Sequence, residues 1–300
     1  MLRLCIVGFG RWGRIYYRAI EQLPYCVVDS IVITKPRIET FSVPTYYRIE
    51  DVILNRRIDA FIIATPPSTH HELTSICILN NYPVLVEKPF TTSHKQALQL
   101  QELSISRGVL CVVGYQHLFS DNYKKLKEKI VLNTGRIDVH SEAISLGPVR
   151  KDVSVFRDWG SHEIAMALDL FKEHPLALKI KRIAGEYNDV YNAVYLMNME
   201  FSLGHKYNAI FGNLSEVKRK SLLINYTTGW AYLDLLNQNG FTMMKNAELV
   251  EPQNILRKND PPLTSILEYF LHKVEQKRIH SSTLELGVKT AKVLDTYELD

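Results

Sequence analysis

Three glycines near the start of the chain have the spacing of a nucleotide-binding turn. Gly8, Gly10 and Gly13 follow the apolar run Leu2–Val7, which is predicted as a strand, and they open a predicted helix. The first glycine permits a tight turn, the second lets the backbone approach a pyrophosphate, and the third allows the helix to pack closely on the strand. The N–H groups and dipole at the helix start would attract that anion. The alternative is a glycine-rich turn without a ligand. The predicted dinucleotide contacts here are Gly8, Phe9, Gly10, Arg11, Trp12 and Gly13.

The residues around the second predicted strand bear on the choice between NAD and NADP. An acidic residue at the end of this strand would bind the ribose 2′-hydroxyl of NAD. Asp29 has about the expected spacing, but it lies in the middle of the predicted strand Val27–Ile33. The strand is followed by Thr34, Lys35 and Arg37, whose hydroxyl and cationic groups suit a 2′-phosphate. We therefore expect NADP in preference to NAD. The alternative is that Lys35 and Arg37 face solvent.

The elements that position these residues alternate between strands and helices through residue 114. Strands with near-continuous apolar character, separated by helices, predict a doubly wound parallel sheet covered on both faces, as in a Rossmann domain. The predicted strands are Leu2–Val7, Val27–Ile33, Ile58–Ala64, Val84–Val86 and Leu110–Val113. The predicted helices are Gly10–Leu23, Ile49–Leu54, Ser68–Asn80 and Ser93–Arg107.

The pattern changes after residue 114. One helix is predicted over Asp121–Leu132 and another within Asp158–Lys172, and consecutive strands then predict an α+β domain with a largely antiparallel mixed sheet. We therefore expect a Rossmann domain over residues 1–118 and a second domain over residues 119–300. The predicted strands of the second domain are Lys179–Tyr187, Tyr191–Phe201, Lys206–Phe211, Ser221–Tyr226 and Trp230–Leu235, and its last helices are Leu263–Lys277 and Ser282–Leu299.

The bulk composition excludes several classes of protein. The 300 residues carry a net charge of only +4, and the densest basic run, Lys124–Lys129, is interleaved with apolar residues. A solvated helix face explains that run better than a nucleic-acid patch does. No apolar stretch approaches the roughly 18 residues of a membrane span, and the N-terminus lacks the pattern of a signal peptide. Four cysteines in or beside apolar runs, without metal-type spacing, indicate a reducing compartment. We expect a cytoplasmic protein that binds no nucleic acid, membrane or metal.

Four segments together resemble one family of oxidoreductases. They are Gly8–Gly13, Ala64–His70, Glu87–Pro89 and Asp158–His162, in that order along the chain. With these segments the sequence resembles the Gfo/Idh/MocA family, and the similarity is strongest through residue 115. The resemblance implies a Rossmann domain joined to a mixed-sheet substrate domain, with a nicotinamide cofactor across the carboxyl ends of the parallel strands.

The resemblance also implies positions for residues around the cofactor. Thr65, Pro66 and His70 would border the nicotinamide half and its phosphates. Glu87 would lie near the nicotinamide ribose. Lys88 would lie beside the cofactor and face the substrate as an active-site residue. The alternative for Lys88 is an ordinary surface lysine.

Two further residues would then carry acid–base chemistry. The resemblance implies that His162 is the general acid or base and that Asp158 binds or orients the substrate. Oxidation of a secondary alcohol requires a base for the hydroxyl proton, and histidine titrates in the right range. The two residues share a face if the helix begins at Asp158. Gly160 between them favours a turn followed by a helix. The alternative is a structural His162 with Asp158 as the helix N-cap.

The sequence thus predicts an NAD(P)-dependent dehydrogenase or reductase. Its substrate would be a secondary alcohol or ketone of a sugar, sugar nucleotide or cyclitol. One alternative is a dinucleotide-binding sensor or regulatory protein without turnover, and another is a reductase of a flat carbonyl or imine compound. The segment Gly114–Phe119 lacks an arginine that is frequent in the family, and His117 within it has no assigned role. A wide sheet with one face free of helices predicts a homo-oligomer, either a dimer or a tetramer.

Overall fold

Two compact units make up the computed structural model of the chain. It describes residues 1–34, 42–131, 135–147, 149–236, 241–245, 248–250 and 262–297. The first unit comprises Met1–Tyr115 and Leu263–Ala291, and the second comprises Gln116–Pro262 and Lys292–Asp300. The sequence prediction placed everything after residue 118 in the second domain, so the two divisions differ in the segment near the C-terminus.

The elements of the described residues follow in chain order. The strands are β1 Leu2–Val7, β2 Cys26–Val32, β3 Thr45–Tyr46, β4 Ala60–Ile63, β5 Val84–Val86, β6 Cys111–Val113, β7 Ile137–Leu146, β8 Ala177–Ala184, β9 Val194–Glu200, β10 Lys206–Gly212, β11 Leu214–Tyr226, β12 Gly229–Asp234, β13 Phe241–Lys245 and β14 Glu248–Val250. The helices are α1 Arg11–Glu21, α2 Ile49–Asn55, α3 His70–Leu79, α4 His94–Arg107, α5 Asp121–Val131, α6 Val155–Phe171, α7 Pro262–Glu275 and α8 Ser282–Thr296.

The first unit contains a parallel sheet of six described strands in the order β3-β2-β1-β4-β5-β6. Strands β4, β5 and β6 are buried along their whole length, because apolar side chains point to both faces and helices cover each face. The predicted Rossmann sheet is therefore confirmed. Strand β3 was not predicted, since two residues are too few to show a periodicity.

The first half of α8 packs on the edge of this sheet and explains why the C-terminal segment joins the first unit. The backbone N–H of Val113, in β6, donates a hydrogen bond to Thr283 Oγ1 at 3.0 Å. A Cβ atom at Gly287 would lie 3.0 Å from Val113 Cγ2 and 3.1 Å from Phe90 Cδ1. Gly287 therefore lets the helix approach β6 more closely than a residue with a side chain would.

The second unit is built on a mixed sheet of eight described strands in the order β14-β13-β12-β11-β7-β10-β9-β8. Only the β7–β10 pair is parallel, and the other described pairs are antiparallel, so the predicted fold class is confirmed. The central strand β7 was not predicted. Its buried positions include Ser141 and Ala143, which make the alternation of apolar and polar residues weak.

Helix α6 packs on this sheet and is buried over most of its length. It is held at both ends. Ser154 caps the start by accepting a hydrogen bond from the Arg157 N–H at 3.2 Å. Near the end, Asp169 accepts a hydrogen bond from Lys127 at 2.7 Å.

The helix also corrects a prediction about its start. It begins at Val155, three residues before Asp158, so the predicted turn before the helix is wrong, and so is the alternative of Asp158 as N-cap. Gly160 lies inside the helix, where a Cβ atom would lie 3.2 Å from the ring of Phe211. The glycine therefore serves close packing of α6 against β10, not a turn.

Two further findings concern the described residues as a whole. The four cysteines are free and buried, which agrees with their positions in or beside apolar runs. Across the described parts of the chain, none of the helices combines the length and the apolar character that a membrane crossing requires.

Candidate functional site

The glycine turn of the first unit has the backbone that a nucleotide-binding turn requires. Gly8 has a φ of +91°, and a Cβ atom there would lie 2.7 Å from Thr65 Cγ2. A Cβ atom at Gly13 would lie 2.1 Å from the carbonyl oxygen of Gly8. At Gly10 a Cβ atom would meet nothing within 4 Å. Two glycines thus permit the packing, and the third leaves space beside the helix start.

The start of α1 fits an anionic group. Its N-cap is Gly10, which has no side chain that could accept hydrogen bonds from the first N–H groups of the helix. Arg11 is exposed and Trp12 is half-buried. Phe9 is buried, with the Arg14 guanidinium 5.2 Å from its ring centroid. The N–H groups at this helix end would suit the diphosphate of a dinucleotide. Binding by these residues stays a prediction.

Asp29 belongs to an ion-pair cluster in the middle of β2. It accepts hydrogen bonds from Arg56 Nε at 2.8 Å and from Arg3 Nε at 3.0 Å. Burial by itself raises the pKa of this carboxyl, but the hydrogen bonds and charges of Arg56 and Arg3 outweigh burial and hold the pKa below its usual value. The carboxylate is therefore occupied within the fold, which agrees with its predicted place in mid-strand.

The residues after β2 are described only in part. Ile33 is buried and hydrogen-bonded to the backbone of Tyr46, and Thr34 is exposed. Neither residue carries a carboxylate. The other two predicted contacts of a 2′-phosphate, Lys35 and Arg37, lie outside the described residues.

His70 holds together the segments that follow β4 and β5. Its Nδ1 lies 2.9 Å from the carbonyl oxygen of Pro89, and its Nε2 lies 3.0 Å from that of Thr65. The ring is fully buried, whereas Thr65 is half-buried and Pro66 is exposed. Of the three residues predicted to border the nicotinamide half, His70 is therefore buried, and it fixes the backbone at Thr65.

Glu87 also lies inside the first unit. Its Oε1 accepts a hydrogen bond from the buried Tyr16 hydroxyl at 2.7 Å, and its Oε2 accepts one from the Lys88 N–H at 3.2 Å. Burial, followed by the charge of Glu87, raises the pKa of Tyr16 well above its usual value. Lys88 is half-buried and precedes a cis peptide bond to Pro89. Glu87 thus fixes the backbone from which Lys88 projects.

In the second unit, Asp158 and His162 lie one turn apart on α6. The i,i+4 spacing places both on the same face of the helix. Asp158 is mostly buried, and its Oδ1 lies 3.8 Å from Arg150 Nη1. Arg150 also pairs with Asp152 at 3.1 Å. This part of the prediction, a shared face for the two residues, agrees with the structure.

Three residues around His162 were missed by the sequence prediction or given no role. The His117 ring lies with its centroid 4.9 Å from that of His162, at an interplanar angle of 61°. Nζ of Lys220 is hydrogen-bonded to Nε2 of His117. Glu163 is fully buried, and the Tyr207 hydroxyl donates to it at 2.8 Å.

Burial also changes the ionisation of Glu163. It raises the pKa of this carboxyl, and hydrogen bonds from Ser141 and Tyr207 together with the charge of Lys220 act in the opposite direction. Glu163 follows His162 directly, but neighbours in a helix point to different faces. Lys220 lies in the charged first part of β11, where no strand was predicted. No sequence pattern therefore predicts that these residues lie close together.

Each unit thus contains a group of residues that could take part in ligand binding or catalysis. The first unit has a turn shaped for a dinucleotide, with Lys88 following a strand of the same sheet. The second has a histidine in contact with a second histidine, with a carboxylate one helical turn away. A histidine can accept or donate a proton near neutral pH, and a nearby carboxylate can orient a hydroxyl group.

Comparison with known proteins shows what the first of these units is similar to. Residues 2–115 match the profile of the Gfo/Idh/MocA proteins, described as an oxidoreductase family with a NAD-binding Rossmann fold. Inositol 2-dehydrogenase 1 of Mycolicibacterium vanbaalenii is 31% identical over 138 residues, or 43% of this chain and 39% of that protein. The scyllo-inositol 2-dehydrogenase (NAD⁺) of Bacillus subtilis is 32% identical over 142 residues, or 43% and 40%. The matched part therefore spans about two fifths of these curated relatives.

A solved structure is similar over the whole length. The crystal structure of a candidate oxidoreductase from Magnetospirillum magnetotacticum MS-1 is 28% identical and superposes with a TM-score of 0.85. The match covers 98% of each chain. The arrangement of the elements in both units is therefore shared with that protein.

Proposed function

Since residues 2–115 of this chain belong to the Gfo/Idh/MocA oxidoreductase family, we propose that the protein is a nicotinamide-dependent dehydrogenase. Its substrate would be a secondary alcohol, or the matching ketone, of a sugar, a sugar nucleotide or a cyclitol. The observation that carries the proposal is the glycine turn, whose open side at Gly10 suits a diphosphate. The two named relatives, both inositol dehydrogenases, support the substrate class.

The cofactor would bind through residues of the first unit. The backbone at Gly8–Gly13 and the start of α1 would hold the diphosphate, and Thr65 and Pro66 would border the nicotinamide half. The nicotinamide, when bound, supplies the acceptor or donor of a hydride. Lys88 would contact the substrate oxygen and stabilise negative charge that develops on it.

Residues of the second unit would transfer the proton of the reacting hydroxyl group. His162 would accept the proton of the reacting hydroxyl during oxidation and return it during reduction. Asp158, one turn earlier on the same helix face, would orient the substrate through a hydrogen bond to a hydroxyl group. A substrate rich in hydroxyl groups suits this set of polar side chains.

We infer that NADP is preferred over NAD. Two observations support this. Asp29 is occupied by Arg56 and Arg3, and the described residues after β2, Ile33 and Thr34, offer no carboxylate for a ribose 2′-hydroxyl. The relative from Bacillus subtilis is named for NAD⁺, so the two cofactors must be compared directly. Calorimetric titration with both would decide, and tighter binding of NAD would overturn the preference.

We also propose that the protein is a homo-oligomer. Alternation along β11 and β12 places Leu223, Trp230 and Tyr232 on the sheet face opposite the buried Leu222 and Ile224. These three residues border a cavity of about 480 Å³. A second copy on this face would cover that apolar surface. A monomeric mass in sedimentation at micromolar concentration would contradict the proposal.

The dehydrogenase activity is tested with a substrate panel. Purified protein is incubated with NAD⁺ or NADP⁺ and a set of inositols, sugars and sugar nucleotides, and the absorbance of reduced nicotinamide is followed. We expect turnover with at least one polyol. His162→Asn should lower kcat by at least about 100-fold, as expected for loss of general base catalysis, with cofactor binding unchanged. His140→Asn, at an exposed histidine of the same unit, is the control. Absence of turnover across the panel would refute the proposal.

A further inference from the structure

A cluster of polar residues in the second unit contacts His162 through the ring of His117. Lys220, on β11, is hydrogen-bonded to His117, and the His117 ring packs edge-on against the His162 ring. Glu163, the neighbour of His162 on α6, interacts electrostatically with Lys220. These residues come from three elements that are distant in sequence. None of them was assigned a role in the proposed reaction.

The Lys220–His117 contact limits the charge that this pair can carry. A hydrogen bond between Nζ and Nε2 needs a proton on one nitrogen and a lone pair on the other. The hydrogen bond therefore excludes a state in which both groups are charged. An amine keeps its proton at a higher pH than an imidazole does, so at neutral pH the ammonium of Lys220 donates to a neutral His117 ring. A single positive charge then lies next to the ring that contacts His162.

Glu163 also interacts with the charge of Lys220. Glu163 is fully buried and accepts a hydrogen bond from the Tyr207 hydroxyl at 2.8 Å, so its orientation is fixed. The Lys220 charge stabilises this carboxylate against burial. Lys220 is therefore hydrogen-bonded to His117 and also interacts electrostatically with Glu163.

We propose that Lys220 and His117, backed by Glu163, are positioning residues that orient the His162 ring and keep it neutral at neutral pH. A positive charge next to His162 disfavours a second positive charge on its ring. A neutral ring is the form that can accept a proton from an alcohol. This inference rests on the proposed role of His162 as the general base.

Other charged groups near the cluster also affect the protonation of His162. Asp158 lies on the His162 face of α6 and favours a protonated ring, but Arg150 lies 3.8 Å from it and partly offsets its charge. Lys220 also borders a polar cavity of about 420 Å³. The other ionisable residues that line that cavity are His140, Glu142, Lys218, Arg219, Tyr232 and Asp234. Removal of Lys220 alone leaves all of these groups in place.

The test replaces Lys220 and measures the ionisation of His162 directly. Lys220→Met removes the charge and keeps about the length of the side chain. Lys220→Gln removes the charge but keeps a polar group near His117 and Glu163. Lys220→Arg keeps the charge and is the matched control. The ring protons of His162 are followed by NMR as a function of pH in the full-length protein, with the signal assigned through His162→Asn.

We expect both uncharged variants to raise the pKa of His162 by about one pH unit, as for the loss of a nearby like charge. The acidic limb of the pH profile of kcat/KM should move in the same direction, with kcat at high pH changed less than threefold. Lys220→Arg should titrate like the parent protein. If His162 titrates identically in a folded uncharged variant, the inference is overturned. If the parent protein lacks turnover, the proposed function fails, but the NMR titration still decides the role of Lys220.

Discussion

At the scale of single residues, substitutions at Gly10 and Gly13 test ligand binding and packing separately. Gly10 has a φ of −77°, which any residue can adopt, and a Cβ atom there would meet nothing within 4 Å. Gly10→Ala should therefore keep the free energy of unfolding within about 1 kcal/mol. We expect it to weaken cofactor binding at least about tenfold, or about 1.4 kcal/mol, because the methyl group occupies the space beside the helix start.

Gly13→Ala is the matched variant at the other glycine. Its Cβ atom would lie 2.1 Å from the Gly8 carbonyl oxygen, so the helix must move away from the strand. We expect a loss of about 1–3 kcal/mol in the free energy of unfolding, measured by urea denaturation. Cofactor affinity is measured by calorimetry for both variants. Unchanged affinity in a folded Gly10→Ala protein would contradict the role of the turn.

The same scale shows how much of the site the sequence could predict. Gly8 and Gly13 were found from spacing alone, because the steric need for glycine is local. Lys220 and His117 are 103 residues apart and meet only in the folded chain. Neither residue belongs to a sequence pattern that predicts its partner. Side-chain clusters of this kind depend on tertiary contacts, which spacing along the chain does not encode.

At the scale of elements, the start of α6 matters because this helix carries Asp158 and His162. The Ser154 side chain accepts a hydrogen bond from the Arg157 N–H at 3.2 Å. Ser154→Ala should cost about 1 kcal/mol of stability. Fraying of the first turn should also displace Asp158, whose N–H bonds to the Ser154 carbonyl oxygen at 2.9 Å. We therefore expect KM for the polyol substrate to rise.

Helix α4 provides the control for this prediction. Ser93 caps it in the same way, by accepting a hydrogen bond from the Gln96 N–H at 3.3 Å. Ser93→Ala should lower the free energy of unfolding by a similar amount, about 1 kcal/mol, and leave KM for the substrate unchanged. Equal kinetic effects of the two variants would show that the cap of α6 has no special link to the site.

The strands differed in how well their sequence predicted them. The buried strands β4 and β5 consist of apolar residues throughout and were predicted with nearly their observed bounds. The central strand β7 was missed, because small and polar side chains occupy its inner face. The first half of β11 was missed as well, since its charged residues are exposed and resemble a loop. Pairing with neighbours, and not local preference, makes both segments strands.

At the scale of the whole molecule, the assignment of the C-terminal segment could not be predicted from local pattern. Residues Leu263–Ala291 lie between the two segments of the second unit in sequence but belong to the first unit. The contacts that place them there join residues 170 positions apart, as in the hydrogen bond from the Val113 N–H to Thr283 Oγ1. An amphipathic helix shows that it needs a partner, but it does not show which one.

This long-range contact leads to a prediction about the stability of the first unit. Thr283→Val removes the acceptor of the buried Val113 N–H, and an unsatisfied buried donor costs about 1–3 kcal/mol. We expect a lower midpoint of thermal unfolding and faster hydrogen exchange at Val113, although the substitution lies near the other end of the chain. Thr296→Val is the control on the same helix, because Thr296 is exposed and bonds only locally to the Lys292 carbonyl oxygen at 2.8 Å. It should change stability by less than about 0.5 kcal/mol. Equal effects of the two substitutions would mean that the hydrogen bond from Val113 to Thr283 contributes no more to stability than the exposed bond of Thr296.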